Sequence, residues 1–314
     1  MKKLLFILSL VLSFNTHAQT SGNCGPKDEN GAYTSSCVWN YDEKTHTLSF
    51  TGDGYMESFG ANEDVSGRWH TKAPWRDFDQ EIEYVNIGGN LKNISGCSVY
   101  GFTNLKDMSI TAPIESFGQE VFSNLQNFEI PSTVKVINAM GLAHTKADSL
   151  VIPDSVKYIG EWAFEYTQAS KIILGSNLES IDSNAFYGTK ENLEIYCEDT
   201  SQNRCRDLIS QNNSDYVGKL KYFTKDETTG VYNVDETYYA DANLLAKGIS
   251  CQSKSQCDEI ALKAKNGLDF EFNGKFYTSL KDLKNANYIK KRIYTIDEAN
   301  AVAGDKNRVS IKYR

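Results

Sequence analysis

The sequence predicts an α+β protein that is mostly β: a repeat solenoid of about six coils, with an N-terminal β-hairpin cap and a small α+β C-terminal domain. Three observations predict this. Apolar-x-apolar pairs recur through the middle of the chain at a near-constant interval, two short alternating segments precede them, and the pattern stops near residue 196. The expected division is a signal peptide at 1–18, a β cap at 19–80, repeats at 81–196 and a C-terminal domain at 197–314.

The signal peptide is read from Lys2 and Lys3, an apolar run over residues 4–14, and Thr16-His17-Ala18, which sets small residues where a signal peptidase reads. That run is too short to cross a bilayer as a helix, and no later segment approaches the roughly 20 apolar residues a span needs. The mature chain is therefore expected to be exported and to have no transmembrane segment. Losing the two lysines takes the formal charge from −8 to −10. Such an acidic balance speaks against nonspecific affinity for nucleic acid or anionic membrane. Residues 281–314 depart from it, with nine Lys or Arg against four Asp or Glu. They make an ordinary solvated basic face or an electrostatic contact with an anionic envelope.

In the cap, residues 37–41 and 47–51 read as two strands joined by a polar turn. The repeat pairs follow: Val85 and Ile87, Met108 and Ile110, Phe128 and Ile130, Leu150 and Ile152, Ile172 and Leu174, Leu193 and Ile195. Their starts are 23, 20, 22, 22 and 21 residues apart, a period near that of leucine-rich repeats. Behind each strand the same apolar positions return, as in Val134 and Ile137, Val156, Ile159 and Phe164, then Leu178, Ile181 and Phe186. A coil this short cannot bury those side chains alone, so neighbours must stack and the ends need covers.

The segment Ile152-Pro153-Asp154-Ser155-Val156-Lys157-Tyr158-Ile159-Gly160-Glu161-Trp162-Ala163-Phe164 resembles the repeat unit of BspA-like surface leucine-rich repeat proteins. Ile130-Pro131-Ser132-Thr133-Val134-Lys135-Val136-Ile137 is similar to its first half. Proline ends the strand by removing a ladder donor, and glycine is expected to permit the bend before the Ala-Phe plug. Cys24-Gly25, Trp39, Thr47-Leu48-Ser49-Phe50, Gly52, Gly54, Met56 and Ala73-Pro74-Trp75 resemble the lead-in of such proteins, so the likeness covers about residues 24–196. It implies a binding or adhesion scaffold, at the cell surface or secreted, whose partner is a protein or glycan. A periplasmic structural or envelope-assembly protein is the alternative.

Beyond the repeats, Phe270-Glu271-Phe272-Asn273-Gly274-Lys275-Phe276-Tyr277 is a hairpin signal, because Asn-Gly accepts the positive φ of a two-residue turn. Residues 257–265 and 296–303 read as helices, 308–313 as a strand, and the polar stretch 201–215 as a loose helix or linker. Seven cysteines in an exported chain suggest disulfides between sequence neighbours: Cys24 with Cys37, Cys197 with Cys205, and Cys251 with Cys257, leaving Cys97 unpaired. Their spacing does not suit zinc, and no metal or cofactor is expected.

No catalytic residue is assigned and no enzyme is expected, because no Gly-x-Ser-x-Gly elbow, phosphate loop or His-Glu-x-x-His helix occurs. His46, His70 and His144 are the mature histidines, and only His144, near Asp148 and Ser149, suggests a triad on paper. Asp226-Glu227 and Asp235-Glu236 with Asp241 lack the alternating ligands and glycine of a calcium loop. Strand alternation instead gives an open-face row of candidate ligand-binding residues, Asn86, Ser109, Glu129, Val151, Ile173 and Glu194, beside Tyr84, Asp107, Asn127, Ser149, Lys171 and Asn192. Neither row is basic or aromatic enough for nucleic acid. Val151 and Ile173 stand out as adjacent apolar positions: a partner patch, a surface covered by the C-terminal domain, or strand propensity alone.

Overall fold

A computed structural model describes residues 19–122, 125–126, 129–198, 202–272 and 274–283. The signal peptide, the segments expected at 296–303 and 308–313, and most of the basic stretch 281–314 lie outside the described residues, as do Asn127, Phe128 and Asn273.

The chain opens with β1 (Ser21–Asn23), β2 (Val38–Asp42) and β3 (Thr47–Thr51), then β4 (Asp53–Gly54), β5 (Ala61–Glu63) and β6 (Trp69–Thr71). Into the repeats run β7 (Tyr84–Ile87), β8 (Asn90–Leu91), β9 (Asn93–Ile94), β10 (Asp107–Ile110), β11 (Ser116–Phe117) and β12 (Val136–Ile137). Next come β13 (Ser149–Val151), β14 (Tyr158–Ile159), β15 (Lys171–Ile173), β16 (Ser180–Ile181) and β17 (Glu194–Glu198). The rest holds α1 (Gln202–Asn212), β18 (Leu220–Lys225), β19 (Tyr232–Val234), β20 (Thr237–Tyr239), α2 (Ala242–Lys247), α3 (Lys254–Lys265), β21 (Phe270–Phe272) and β22 (Lys275–Tyr277).

Three sheets of five or six strands organise most of these elements. One has the order β1-β2-β3-β7-β10, in which the expected hairpin β2–β3 joins the first repeat strand edge to edge, with β3, β7 and β10 parallel. Alternation sends Trp39, Tyr41, Leu48, Phe50, Val85, Ile87 and Met108 into the core. A second is a parallel ladder, β9-β11-β12-β14-β16, built from two-residue strands one repeat apart. It holds the positions recognised from sequence only as core: Ile137, Ile159 and Ile181 are its inward members. The third sheet has the order β13-β15-β17-β18-β19-β20, so it continues through residue 197, where a domain boundary was expected. No strand occurs at the described residues Glu129 and Ile130, although Ile130 is still buried.

One core cluster runs from Cys24 to Ile209. At its N-terminal end Trp75 meets Trp39, Phe50 and Phe59 edge-on, with centroids 5.6, 4.9 and 4.9 Å away, and donates its indole N–H to the Ser98 carbonyl at 2.8 Å. Within the repeats Phe164 stacks on Phe186 at 5.3 Å. Hydroxyls tie each repeat to the one before: Thr133 to the Ile114 carbonyl, Ser155 to the Val134 carbonyl, and Thr145 to Thr167. At the far end α1 adds Ile209 to this core and is pinned by the Cys197–Cys205 disulfide.

The bend before each plug is made differently from the sequence expectation. Its left-handed residue is not glycine but Glu120, Met140, Trp162 or Asn184, with φ between 51° and 55°. The glycines upstream serve close approach instead. A Cβ on Gly118 would lie 2.3 Å from the Gly96 nitrogen, and one on Gly160 would lie 2.6 Å from the Ala139 nitrogen. Neighbouring backbones touch there, so glycine is the residue that fits.

After α1 the chain forms a second, smaller core from Leu244, Cys257, Ile260, Phe270, Phe272 and Tyr277. Helix α3 begins at the Ser253 cap, earlier than the expected residue 257, because that hydroxyl accepts the Gln256 N–H. The expected hairpin is present as β21 and β22.

Candidate functional site

The outward residues of the first sheet form a row in register. Asn40 pairs with Ser49, Ser49 with Asn86, and Asn86 with Ser109. Asn40, Asn86 and Ser109 are exposed and Ser49 is half-buried. Beside them Tyr84 pairs with Asp107 and Thr47, and the Lys106 ammonium lies 2.6 Å from Glu83 and 5.9 Å from the Tyr84 ring centre. Each of these side chains reaches solvent because alternation has sent its neighbours inward. Asn40 and Ser49 were absent from the sequence-derived row. Their apolar alternation was visible, but not that the hairpin would share a ladder with the repeats.

The third sheet presents the same row in a different state. Val151 pairs with Ile173 and Ile173 with Tyr196, but these positions do not form an open face. Ile173 is only 2% exposed, and Leu245 and Ala246 of α2 pack with it, Tyr196 and Phe223, while Val151, Tyr232 and Tyr239 border the cluster. Of the three readings of Val151 and Ile173, coverage by the C-terminal segment is the one seen. Asp241 fixes the helix that covers them, accepting the Leu244 N–H at 2.8 Å, and Gly248 ends it at φ 66°. Glu194, half-buried, accepts a hydrogen bond from the Tyr196 hydroxyl at 2.9 Å. Glu129 is exposed but stands in no strand beside the others. The six expected residues are thus not one continuous site: Asn86 and Ser109 are open, and Val151 and Ile173 lie under α2.

The family model for the BspA type leucine-rich repeat region matches residues 78–140 and 96–204, in six copies. Residues 78–204 are thus similar to a BspA type leucine-rich repeat region. Among solved structures, the chain is similar to a leucine-rich repeat protein from Eubacterium ventriosum ATCC 27560, at 15% identity and a TM-score of 0.44. That alignment covers 64% of this chain and 46% of the other. No curated protein matches the chain.

Within and beside these repeats, the other candidate groups are occupied structurally. Burial first, and then the carboxylate of Glu120, push the Cys97 thiol up to about 12, so it stays protonated at neutral pH. His144 stacks on Tyr166 at 5.4 Å, and His46, at φ 51° in the β2–β3 turn, meets the Tyr41 hydroxyl at 3.1 Å. His70 is buried beside Asp79, whose two oxygens each accept from Arg68 at 3.1 Å. Asp226 accepts two backbone N–H groups of its own turn and pairs with Lys254, and its carboxyl is lowered to about 2, chiefly by the Thr229 N–H. Among the described residues no group of His, Cys, Asp and Glu is arranged to hold a metal ion, and no helix is long and apolar enough to cross a membrane. The disulfides are Cys24–Cys37, Cys197–Cys205 and Cys251–Cys257, with Cys97 free.

Proposed function

We propose that this chain is an exported binding scaffold, at the cell surface or secreted, that offers the row Asn40, Ser49, Asn86 and Ser109 to a protein or glycan partner. In this reading the BspA type repeats form a solenoid of six coils, the β2–β3 hairpin caps its start, and α1 with the segment beyond it closes its end. The observation that carries the proposal is the contrast between two parts of one repeat face. The N-terminal part is polar and open, and the C-terminal part is apolar and already filled by α2. Three disulfides suit an oxidising compartment, and the Lys2-Lys3 start with its apolar run suits export. Four strand spacings of about 4.8 Å and about 13 Å of strand make the open face only about 250 Å². Since a stable complex covers roughly 800 Å² on each partner, the partner must reach past the row or be held by many weak contacts.

Protease shaving of intact cells tests the reading, with a periplasmic protein as the leakage control. Release of peptides from residues 81–196 without leakage is expected. Protection until the envelope is broken would overturn surface exposure and leave the periplasmic structural role.

A further inference from the structure

The second ladder carries a feature that the strand-face reading does not use. An open groove of about 420 Å³ runs along β9, β11, β12 and β14, floored where Gly96 and Gly118 let successive backbones touch. Its walls carry hydroxyls, amides and one aromatic ring, and no charged side chain. The cations near it are spent on carboxylates: Lys92 and Lys135 lie 3.6 and 2.8 Å from Glu115, and Lys157 lies 2.7 Å from Glu179.

The backbone along the groove is spent as well. Strands β9, β11, β12 and β14 pair with one another, and the side-chain amide of Asn93 ties β9 to the backbone of Met56. It accepts from the Met56 N–H at 2.7 Å and donates to the Met56 carbonyl at 3.1 Å. An extended peptide therefore finds no free edge between these strands.

What remains for a ligand is side-chain chemistry. Ser95 lines the groove, and its hydroxyl, buried in a residue only 2% exposed, has no hydrogen-bond partner among the described residues, an unusual state for a buried polar atom. Among the described residues no hydrogen bond engages the side chains of Ser116 and Gln119, which line it, and the Asn138 amide donates to the Phe117 carbonyl with no donor to its oxygen. At the end stands Tyr158, whose hydroxyl donates to Asp182 and so holds the ring in place. Hydroxyl and amide groups both donate and accept, which matches a ligand made of hydroxyls. A fixed aromatic ring offers a face to the C–H side of a pyranose. A sulfate or uronate would leave a charge desolvated with no partner. The volume lies within the range of small-ligand clefts.

We infer that this groove binds a neutral oligosaccharide stretch, with Ser116, Gln119 and Asn138 bonding its hydroxyls and Tyr158 packing against one sugar ring. The site lies on a different ladder from Asn86 and Ser109 and stands or falls separately from the strand-face partner.

The test is affinity electrophoresis of the mature chain through native gels containing laminarin, xyloglucan, galactomannan or dextran, with polygalacturonate as the acidic control. At least one neutral polysaccharide should retard the chain, and polygalacturonate should not. Tyr158→Ala and Gln119→Ala should each weaken the retardation about tenfold, a change of about 1.4 kcal/mol. Gln119 is exposed and its side chain bonds nothing among the described residues, so its variant keeps the test valid if removal of the tyrosine disturbs folding. The inference is overturned if no neutral polysaccharide retards the chain, if only polygalacturonate does, or if retardation survives both groove substitutions. Loss of retardation in Asn86→Ala with the groove variants still binding would place the sugar on the strand face and overturn it equally.

Discussion

Helix α2 faces two ways, and Leu245→Ala separates its two attachments. Leu244 belongs to the small C-terminal core, whereas Leu245 is 1% exposed and packs with Ile173, Tyr196 and Phe223 on the repeat strands. Truncating a leucine this buried costs about 3 kcal/mol, within the usual range of 2–5 kcal/mol. The loss falls on the docking of residues 241–248 against the repeats, because the core from Cys24 to Ile209 does not contain this side chain. Three kcal/mol is roughly a 150-fold rise in the population of the undocked segment. Hydrogen–deuterium exchange read by mass spectrometry should show peptides covering 241–249 exchanging roughly 100-fold faster. Peptides around Phe164 and Phe186 should keep their wild-type protection. Unchanged exchange at 241–249 in a folded variant would refute the view that α2 is held on the repeat face by this cluster. Equal acceleration throughout would show that the segment and the repeats unfold as one unit.

Four further outcomes are expected. Asp79→Ala leaves the Arg68 guanidinium without its buried partner and should destabilise the fold by about 2 kcal/mol, below the roughly 3–5 kcal/mol of a fully buried pair because Arg68 is 34% exposed; denaturant unfolding checks it. Native Cys97 should resist iodoacetamide at pH 8 and react fully in denaturant, while a nonreducing peptide map returns the three local disulfides; rapid native labelling would contradict the raised thiol pKa. Burial, and then Glu227, raise the Glu198 carboxyl above its unfolded value, so its ionised form costs stability at neutral pH and that cost fades as pH falls through the folded pKa. Glu198→Gln should therefore raise the thermal midpoint at pH 7 and lose its advantage in acid, and an advantage that grows in acid would reverse the sign. Trp75→Ala removes a side chain that three aromatic rings and a carbonyl enclose and should cost about 3–5 kcal/mol, read from the same denaturant curves.

Much of the repeat architecture was legible because it is written in local periodicity. The 20–23 residue spacing of apolar pairs located β7, β10, β13, β15 and β17, and alternation in 37–51 located β2 and β3. Sequence adjacency of the cysteines gave the three pairs seen in the structure, since a short loop brings such sulfurs together whatever the distant fold does. The two-residue strands of the second ladder were invisible as strands, being too short to show a period of two. The role of glycine was misread for a related reason: a bend is a local property, whereas contact between the backbones of Gly118 and Gly96 exists only after repeats stack.

The candidate site divides along the same line. Sequence alone determined which side chains alternate outward, Asn86 and Ser109 as much as Val151 and Ile173, because strand geometry fixes the side of the sheet. Only the tertiary structure decided which of them meet solvent. Whether an outward side chain is open depends on what returns over it from elsewhere in the chain, and α2 lies about 70 residues beyond Ile173. No local pattern encodes that return. It follows from Leu245 and Ala246 finding an apolar strand face at the C-terminal end of the repeats and a polar one, which offers them nothing to bury, at the other.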